Sequence, residues 1–262
     1  MGGVGVLSAM KVGVVSGHVV RGLLRRCEDV VVETPFGSLP VHVGKFGGHD
    51  VFVVYRHGDE GRCPPHRINA RAMMAALSSC HVQAVVSVGT VGSLQKGIVP
   101  GDFVVASDFV DVTRSRPVTF FDECRVHVDM SEPFCPEVRR ALVGACRAQK
   151  VRVHAKGVCL VTEGPRLETA AEIRLYQGVA DVVGMTLVPE VVLAREQGLC
   201  FGSLLLVCNM AAGLQDRLTA TEIVEVVKGR QQSLASIVKE TVQRLPKEFS
   251  CHCGEALAQA RL

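Results

Sequence analysis

Residues 156–198 read KGVCLVTEGPRLETAAEIRLYQGVADVVGMTLVPEVVLAREQG. Val158 to Thr162 is a short, β-branched apolar run and reads as a strand. Gly164-Pro165 then breaks the chain. Thr169 and Glu172 stand at capping-box spacing, which predicts a helix from about Thr169 to Gln177. Asp181 to Val183 is a second strand, leading into Gly184-Met185-Thr186. Pro189 sits where it can open a further helix, whose last turn carries Arg195 before Gly198. These two strand–loop–helix units place both loops at C-terminal strand ends, where open α/β sheets bind ligands.

The same grammar extends outward. Lys11 to Val15 reads as the first strand, followed by Ser16-Gly17-His18 and a helix through Leu24, a start suited to holding an anion on helix N–H groups. Asp29–Glu33, Leu39–Phe46 and Asp50–Tyr55 form a strand meander. It ends at Arg56-His57-Gly58, which in isolation is ordinary surface charge. A helix from Ile68 to Cys80 follows, with Ala70, Met73, Met74 and Leu77 as its buried stripe. Gln83 to Val88 is a buried strand running into a turn, Gly89-Thr90-Val91-Gly92-Ser93, where glycines let the backbone approach an anion and Thr90 offers a hydroxyl. Phe103 to Val112 reads as one strand, and Arg114 to Phe134 as loop. Pro136 starts a helix to about Lys150. Leu204 to Cys208 is a strand ending at Asn209. Thr219 and Glu222 cap a long last helix with an apolar stripe at Ile223, Val227, Leu234, Ile237, Val238 and Leu245, stopped by Pro246. No linker or repeat interrupts the chain, so residues 1–262 are expected to form a single domain, with a Cys-X-Cys tail from about residue 247.

Composition narrows the function classes. A hydrophobic content of 48% supports a sizeable core, while 5% aromatics without Trp argue against a base-stacking surface for single strands. A net charge of +3 with dispersed basic residues is too small for a nucleic-acid partner; the densest cluster, Arg21, Arg25 and Arg26, reads as a solvated helix face. The opening MGGVGVLSAMKVGVV lacks a basic targeting region, and Val6 stands where a myristoylation signal needs Ser or Thr. With no apolar run of ~18 residues, a membrane is not expected as partner and the protein is expected in the cytoplasm. Of the eleven cysteines, Cys146, Cys159 and Cys208 lie in apolar segments as small hydrophobes. Cys251-His252-Cys253 instead lies in a polar tail. Reduced thiols are one reading. Zinc is another, but these residues alone cannot close a tetrahedron without distant ligands, and no metal is expected.

The signatures EGPRLETAAE, residues 163–172, and VVGMTLVPEVVLA, residues 182–194, resemble those of the purine nucleoside phosphorylase and methylthioadenosine phosphorylase superfamily. The resemblance implies an α/β fold with a mixed, partly barrel-like central sheet flanked by helices, assembled as a homotrimer or a hexamer built from trimers. It implies phosphate-dependent cleavage of a nucleoside N-glycosidic bond, with inorganic phosphate as co-substrate and no cofactor. Phosphate falls to Arg56, His57, Thr90 and Thr186, with Arg56 offering bidentate geometry and either Ser16 or His18 serving from the first loop. The nucleoside falls to Leu167, Glu168, Met185 and Asn209, with Ala220 and Ile223 giving an apolar surface at the sugar's 5′ end. His127 matches a segment that reaches a sugar pocket across a subunit boundary. For the tail, the resemblance implies disulfides of the kind thermophilic archaeal relatives use.

Base choice follows from donor and acceptor counts. Hypoxanthine and guanine present an O6 acceptor and an N1–H donor; adenine presents an N6 donor and an N1 acceptor. Methylthioadenosine enzymes typically carry Asp after the last strand and Ser at the Glu168 position. Here Asn209 can donate to O6 or N7, Ala211 follows, and Glu168 can accept from N1–H. A carboxylate against adenine N1 would oppose two acceptors at a cost of ~1–3 kcal/mol. Together with these counts, the resemblance implies catalytic roles for Asn209, Glu168 and His57, on inosine, guanosine or 5′-methylthioinosine. The alternatives are 5′-methylthioadenosine cleavage, hydrolysis, and a nucleoside-binding or scaffold relative without activity.

Overall fold

The computed structural model describes residues 9–17, 23–24, 27–217, 219–258 and 260–261. The helix expected after Ser16, with His18 and the Arg21, Arg25 and Arg26 face, falls almost entirely outside them. Eleven strands and five α-helices are described. The strands are β1 (Lys11–Ser16), β2 (Cys27–Val32), β3 (Leu39–Phe46), β4 (His49–Tyr55), β5 (Ala84–Ser93), β6 (Phe103–Val105), β7 (Asp108–Asp111), β8 (Val153–His154), β9 (Val158–Val161), β10 (Val182–Gly184) and β11 (Cys200–Met210). The helices are α1 (Ala70–Ser79), α2 (Pro136–Ala148), α3 (Ala170–Tyr176), α4 (Leu187–Glu196) and α5 (Ala220–Arg244).

The sheet is mixed and branches at β5. Strands β2, β3 and β4 form the antiparallel meander, β4 runs parallel to β1, and β1 parallel to β5. On its other edge β5 pairs in parallel with β11 along almost its whole length. Strand β11 then pairs with β6, β6 continues through Ala106-Ser107 into β7, and β7 pairs with β9, β9 with β10, and β10 with the far end of β5. That circuit is the barrel-like part expected of the sheet.

Two expectations are corrected here. Gly89–Ser93 is not a turn: β5 continues through it, pairing with β1 up to Val88 and with β10 at Gly92 and Ser93. A glycine-rich strand bends easily enough to change partners. Phe103–Val112 is likewise not one strand, because Ala106 and Ser107 turn the chain from β11 toward β9. Helix α4 takes in Leu187, but Val188 is extended at φ −100° and ψ 132°, so its regular part opens at Pro189 as expected. The residue before a proline is pushed out of the helical region, so the kink falls there.

Both capping boxes form, with Thr169 accepting from the Glu172 amide and Thr219 from the Glu222 amide. Helices α2 and α5 cover one sheet face with Leu142, Leu234, Ile237 and Val238; α1 and α4 cover the other with Met74, Leu77, Val191 and Leu193. Met73 and Met74 are buried, so that pair is core filling. Among the described residues no helix is long and apolar enough to cross a membrane.

Candidate active site

One cleft collects the ends of β1, β4, β5, β9, β10 and β11. Its walls include Gly17, Arg56, His57, Thr90, Leu167, Glu168, Met185, Thr186, Asn209, Ala211 and Ile223. Most of the residues singled out from the sequence thus share one cavity, although they span the chain from position 17 to 223. Ser16 ends β1, is buried, and accepts the Arg56 amide on its carbonyl at 2.9 Å. His127 is exposed and is not among the lining residues of its own chain's cleft. Ala220 is the first residue of α5; its side chain lies outside the described structure.

Arg56 corrects one expectation. Its two-donor edge does not face the cleft, because Nε and Nη2 both donate to the Glu190 carboxylate, the latter at 3.0 Å. Nη2 also donates to Ser87 Oγ at 3.0 Å, and Nη1 to the Val88 carbonyl at 3.1 Å. An added Cβ on Gly17 would lie 3.1 Å from Nη1, so this nitrogen is the one beside the first loop. Glu190 was missed in the sequence because it stands inside an apolar helix start with no polar neighbour to mark it.

His57 lies beside Arg56. Its Nδ1 is 2.6 Å from the Cys63 carbonyl, which makes Nδ1 the donor and turns Nε2 toward Gly17. Burial lowers its pKa below the usual value, the Cys63 carbonyl opposes the shift, and the Arg56 charge adds to it. The imidazole is therefore neutral at pH 7, with a lone pair on Nε2. Thr186 caps α4 without a side-chain cap hydrogen bond, and its Oγ1 lies about 4.0 Å from where a Cβ on Gly89 would stand. Backbone, hydroxyls, Arg56 and His57 thus form the polar end of the cleft.

The opposite end suits a base. A bulge between Val207 and Asn209 leaves Cys208 as the extra residue and sets Asn209 opposite Gly92. Bulges beside active sites re-aim side chains in this way. The Asn209 amide donates to the Met210 carbonyl at 2.8 Å, leaving its second N–H and its oxygen. A Cβ at Gly92 would lie 2.8 Å from that nitrogen, so only glycine leaves the amide in place. Glu168 accepts from Thr162 Oγ1 at 2.6 Å through one oxygen, which leaves the other. Between the two ends, Met185 lies against Gly164, whose φ of +64° puts its missing Cβ 2.6 Å from the Met185 sulfur.

Arg116 is the second residue that sequence reasoning missed, because it sits in a loop without periodicity. It reaches across 69 residues to the Met185 carbonyl, and donates to those of Val188 at 2.7 Å and Glu163 at 2.6 Å. These contacts tie the two signature loops together from behind.

A sequence model of the Phosphorylase superfamily matches residues 4–243. A Methanosarcina acetivorans protein named "Probable S-methyl-5′-thioinosine phosphorylase" is 44% identical, over 87% of this chain and 88% of its own. The Pyrococcus furiosus 6-oxopurine nucleoside phosphorylase is 40% identical, over 88% and 91%. The S-methyl-5′-thioadenosine phosphorylase of the same organism is 38% identical, over 94% and 97%. Among solved structures, the methylthioadenosine phosphorylase of Schistosoma mansoni in complex with adenine superposes with a TM-score of 0.91 at 29% identity, over 96% of this chain and 98% of that one.

Proposed function

We propose a substrate and a mechanism for a chain that belongs to the phosphorylase superfamily. Its activity is phosphorolysis of purine nucleosides, and the reading offered here is a preference for 6-oxopurines: inosine, guanosine or 5′-methylthioinosine. The observation that carries it is the pairing of Asn209, with an N–H to spare, and Glu168, with an oxygen to spare, on the walls of one cleft. Ala211 stands in the same wall where a second carboxylate would favour adenine.

Phosphate sits at the polar end, receiving hydrogen bonds from Arg56 Nη1, Thr90 and Thr186. Neutral His57 accepts a phosphate O–H on Nε2. Phosphate attacks C1′ as the glycosidic bond breaks through an oxocarbenium-like state. The electron pair of that bond passes to the purine, and Asn209 donates to N7 or O6 as the charge develops, a contact that strengthens in the transition state. Glu168 accepts from N1–H. Met185 packs on the ribose. The co-substrate phosphate supplies the nucleophile, so no cofactor is required.

Ile223 in the cleft, with no His between Asn209 and Glu222, favours an apolar 5′ group. This supports 5′-methylthioinosine within the 6-oxopurine class. His127, exposed and not among the residues lining its own chain's cleft, fits a neighbour's cleft in a homotrimer or a hexamer of trimers.

The test is a panel of inosine, guanosine, adenosine, methylthioinosine and methylthioadenosine, each with and without phosphate. Phosphate-dependent release of hypoxanthine or guanine is expected. Faster cleavage of either adenine nucleoside would place the chain with the methylthioadenosine enzymes, and equal rates without phosphate would mean hydrolysis.

A further inference from the structure

At the opposite end of β11 from Asn209, the sulfurs of Cys135, Cys200, Cys251 and Cys253 lie within 4.8 Å of one another. They come from three places in the chain: the N-cap of α2, the first residue of β11 and the tail. Cys135, Cys200 and Cys253 are buried and Cys251 is half-buried. We propose that these four cysteines form a structural zinc site that fastens the C-terminal tail to the sheet.

The geometry fits one central ion. Zn–S bonds of about 2.3 Å set tetrahedral S···S edges of about 3.8 Å. Cys251 lies 3.6 Å from the Cys135 sulfur and 3.4 Å from the Cys200 sulfur, close to that edge on both sides. Two disulfides require only two pairwise contacts; mutual approach of all four sulfurs is what a common ion requires. The ligands that the tail lacks by itself are thus Cys135 and Cys200, distant in sequence and adjacent in the fold. His252 is no competitor, because it is exposed and its Nδ1 is 3.2 Å from Glu255.

The surroundings hold the tail in register for this. Ser250 donates from its amide and hydroxyl to Glu137 in the first turn of α2, at 2.9 and 2.7 Å. Gly198, at φ +67°, lets the tail pass, since a Cβ there would lie 3.2 Å from Gly254 Cα. Four thiolates around Zn(II) leave a double negative charge, and Cys135 places it at the N-terminus of the thirteen-residue α2, where the helix dipole favours an anion. Nine residues of β11, at ~3.3 Å each, set this site about 30 Å from Asn209. All four ligands come from the protein, so no position is open for a substrate and the ion's role is to stabilise the fold.

The full chain, expressed with added zinc and purified under reducing conditions, is expected to carry about one zinc per chain by elemental analysis. Denaturation in chelator should then reveal all eleven thiols. Cobalt substitution should give thiolate-to-metal charge-transfer bands and the visible bands of a tetrahedral centre. Cys251→Ser with Cys253→Ser should lose the metal and melt at lower temperature, and His252→Ala should keep it. Wild-type protein free of zinc, whether with eleven titratable thiols or with the four cysteines joined as disulfides, would overturn the proposal. So would a double variant that retains full zinc content.

Discussion

Glu190 takes both hydrogen bonds of the Arg56 Nε/Nη2 edge from 134 residues away, and each side chain is 1% exposed. The cation at the polar end of the cleft is therefore already compensated before an anion arrives. Removing one partner of such a pair costs ~3–5 kcal/mol, because the other charge stays buried alone.

From this pair, Arg56→Ala is expected to lose stability as well as phosphate turnover, whereas Glu190→Gln acts differently. Its single amide oxygen keeps one of the two Arg56 hydrogen bonds, while the guanidinium charge is left uncompensated, so stability falls here too. Phosphate should then bind more tightly, with a lower KM for phosphate, and should raise the melting temperature more than it does in wild type. Phosphate titrations by kinetics and by thermal unfolding give the comparison. A weaker phosphate response in Glu190→Gln would show that the pair does not govern the charge of the site.

The lowered pKa of His57 sets a pH dependence. The unfolded chain takes up this proton near pH 6.5, and the folded chain only at a lower pH. Between those two values the unfolded state binds more protons, so stability falls as pH drops through that window. His57→Gln removes the titration and should flatten this part of the curve, with little effect on the slope above pH 7. Denaturant unfolding of both proteins across the window reads it directly. Identical slopes would assign the acid sensitivity to other groups.

Base selectivity should follow Asn209 and Glu168, the two residues proposed to read the purine. Asn209→Ala is expected to depress kcat about 10²–10³-fold, with a smaller change in KM, as loss of a donor to developing charge does. Glu168→Ser should narrow the preference for inosine over adenosine by roughly 1–3 kcal/mol in kcat/KM. Asn209→Asp combined with Glu168→Ser should move preference toward 6-aminopurines, with Ala211 limiting the switch. A double variant that keeps wild-type selectivity would remove these residues from base recognition.

Gly92→Ala tests the same amide from behind. The new methyl would lie 2.8 Å from Asn209 Nδ2, so the amide must shift while β5 and β11 keep their pairing. The expected result is a fall in kcat approaching that of Asn209→Ala, with a melting temperature near wild type. Full activity would mean that the position of the amide is not critical to the chemistry.

What the amino-acid order determined by itself was local. The Thr169–Glu172 and Thr219–Glu222 boxes each close within three residues, so spacing alone predicts both helix starts, and Val158–Thr162 was legible from its β-branched run. The signature loops, and with them Met185, Thr186 and Glu168, were legible because each is a continuous run of sequence that resembles the superfamily's motifs. Tertiary structure decided what depends on partners far along the chain. Thr90 and Gly92 lie on a strand rather than a turn because β11 pairs along this stretch and β10 joins at Gly92 and Ser93. Arg56 gives its bidentate edge to Glu190, and Arg116 holds Met185 from a loop with no periodicity. Cys251 and Cys253 find Cys135 and Cys200 only because α2 starts beside β11. Spacing encodes contacts between neighbours along one helix or strand; contacts across 51 to 134 residues depend on how those elements pack.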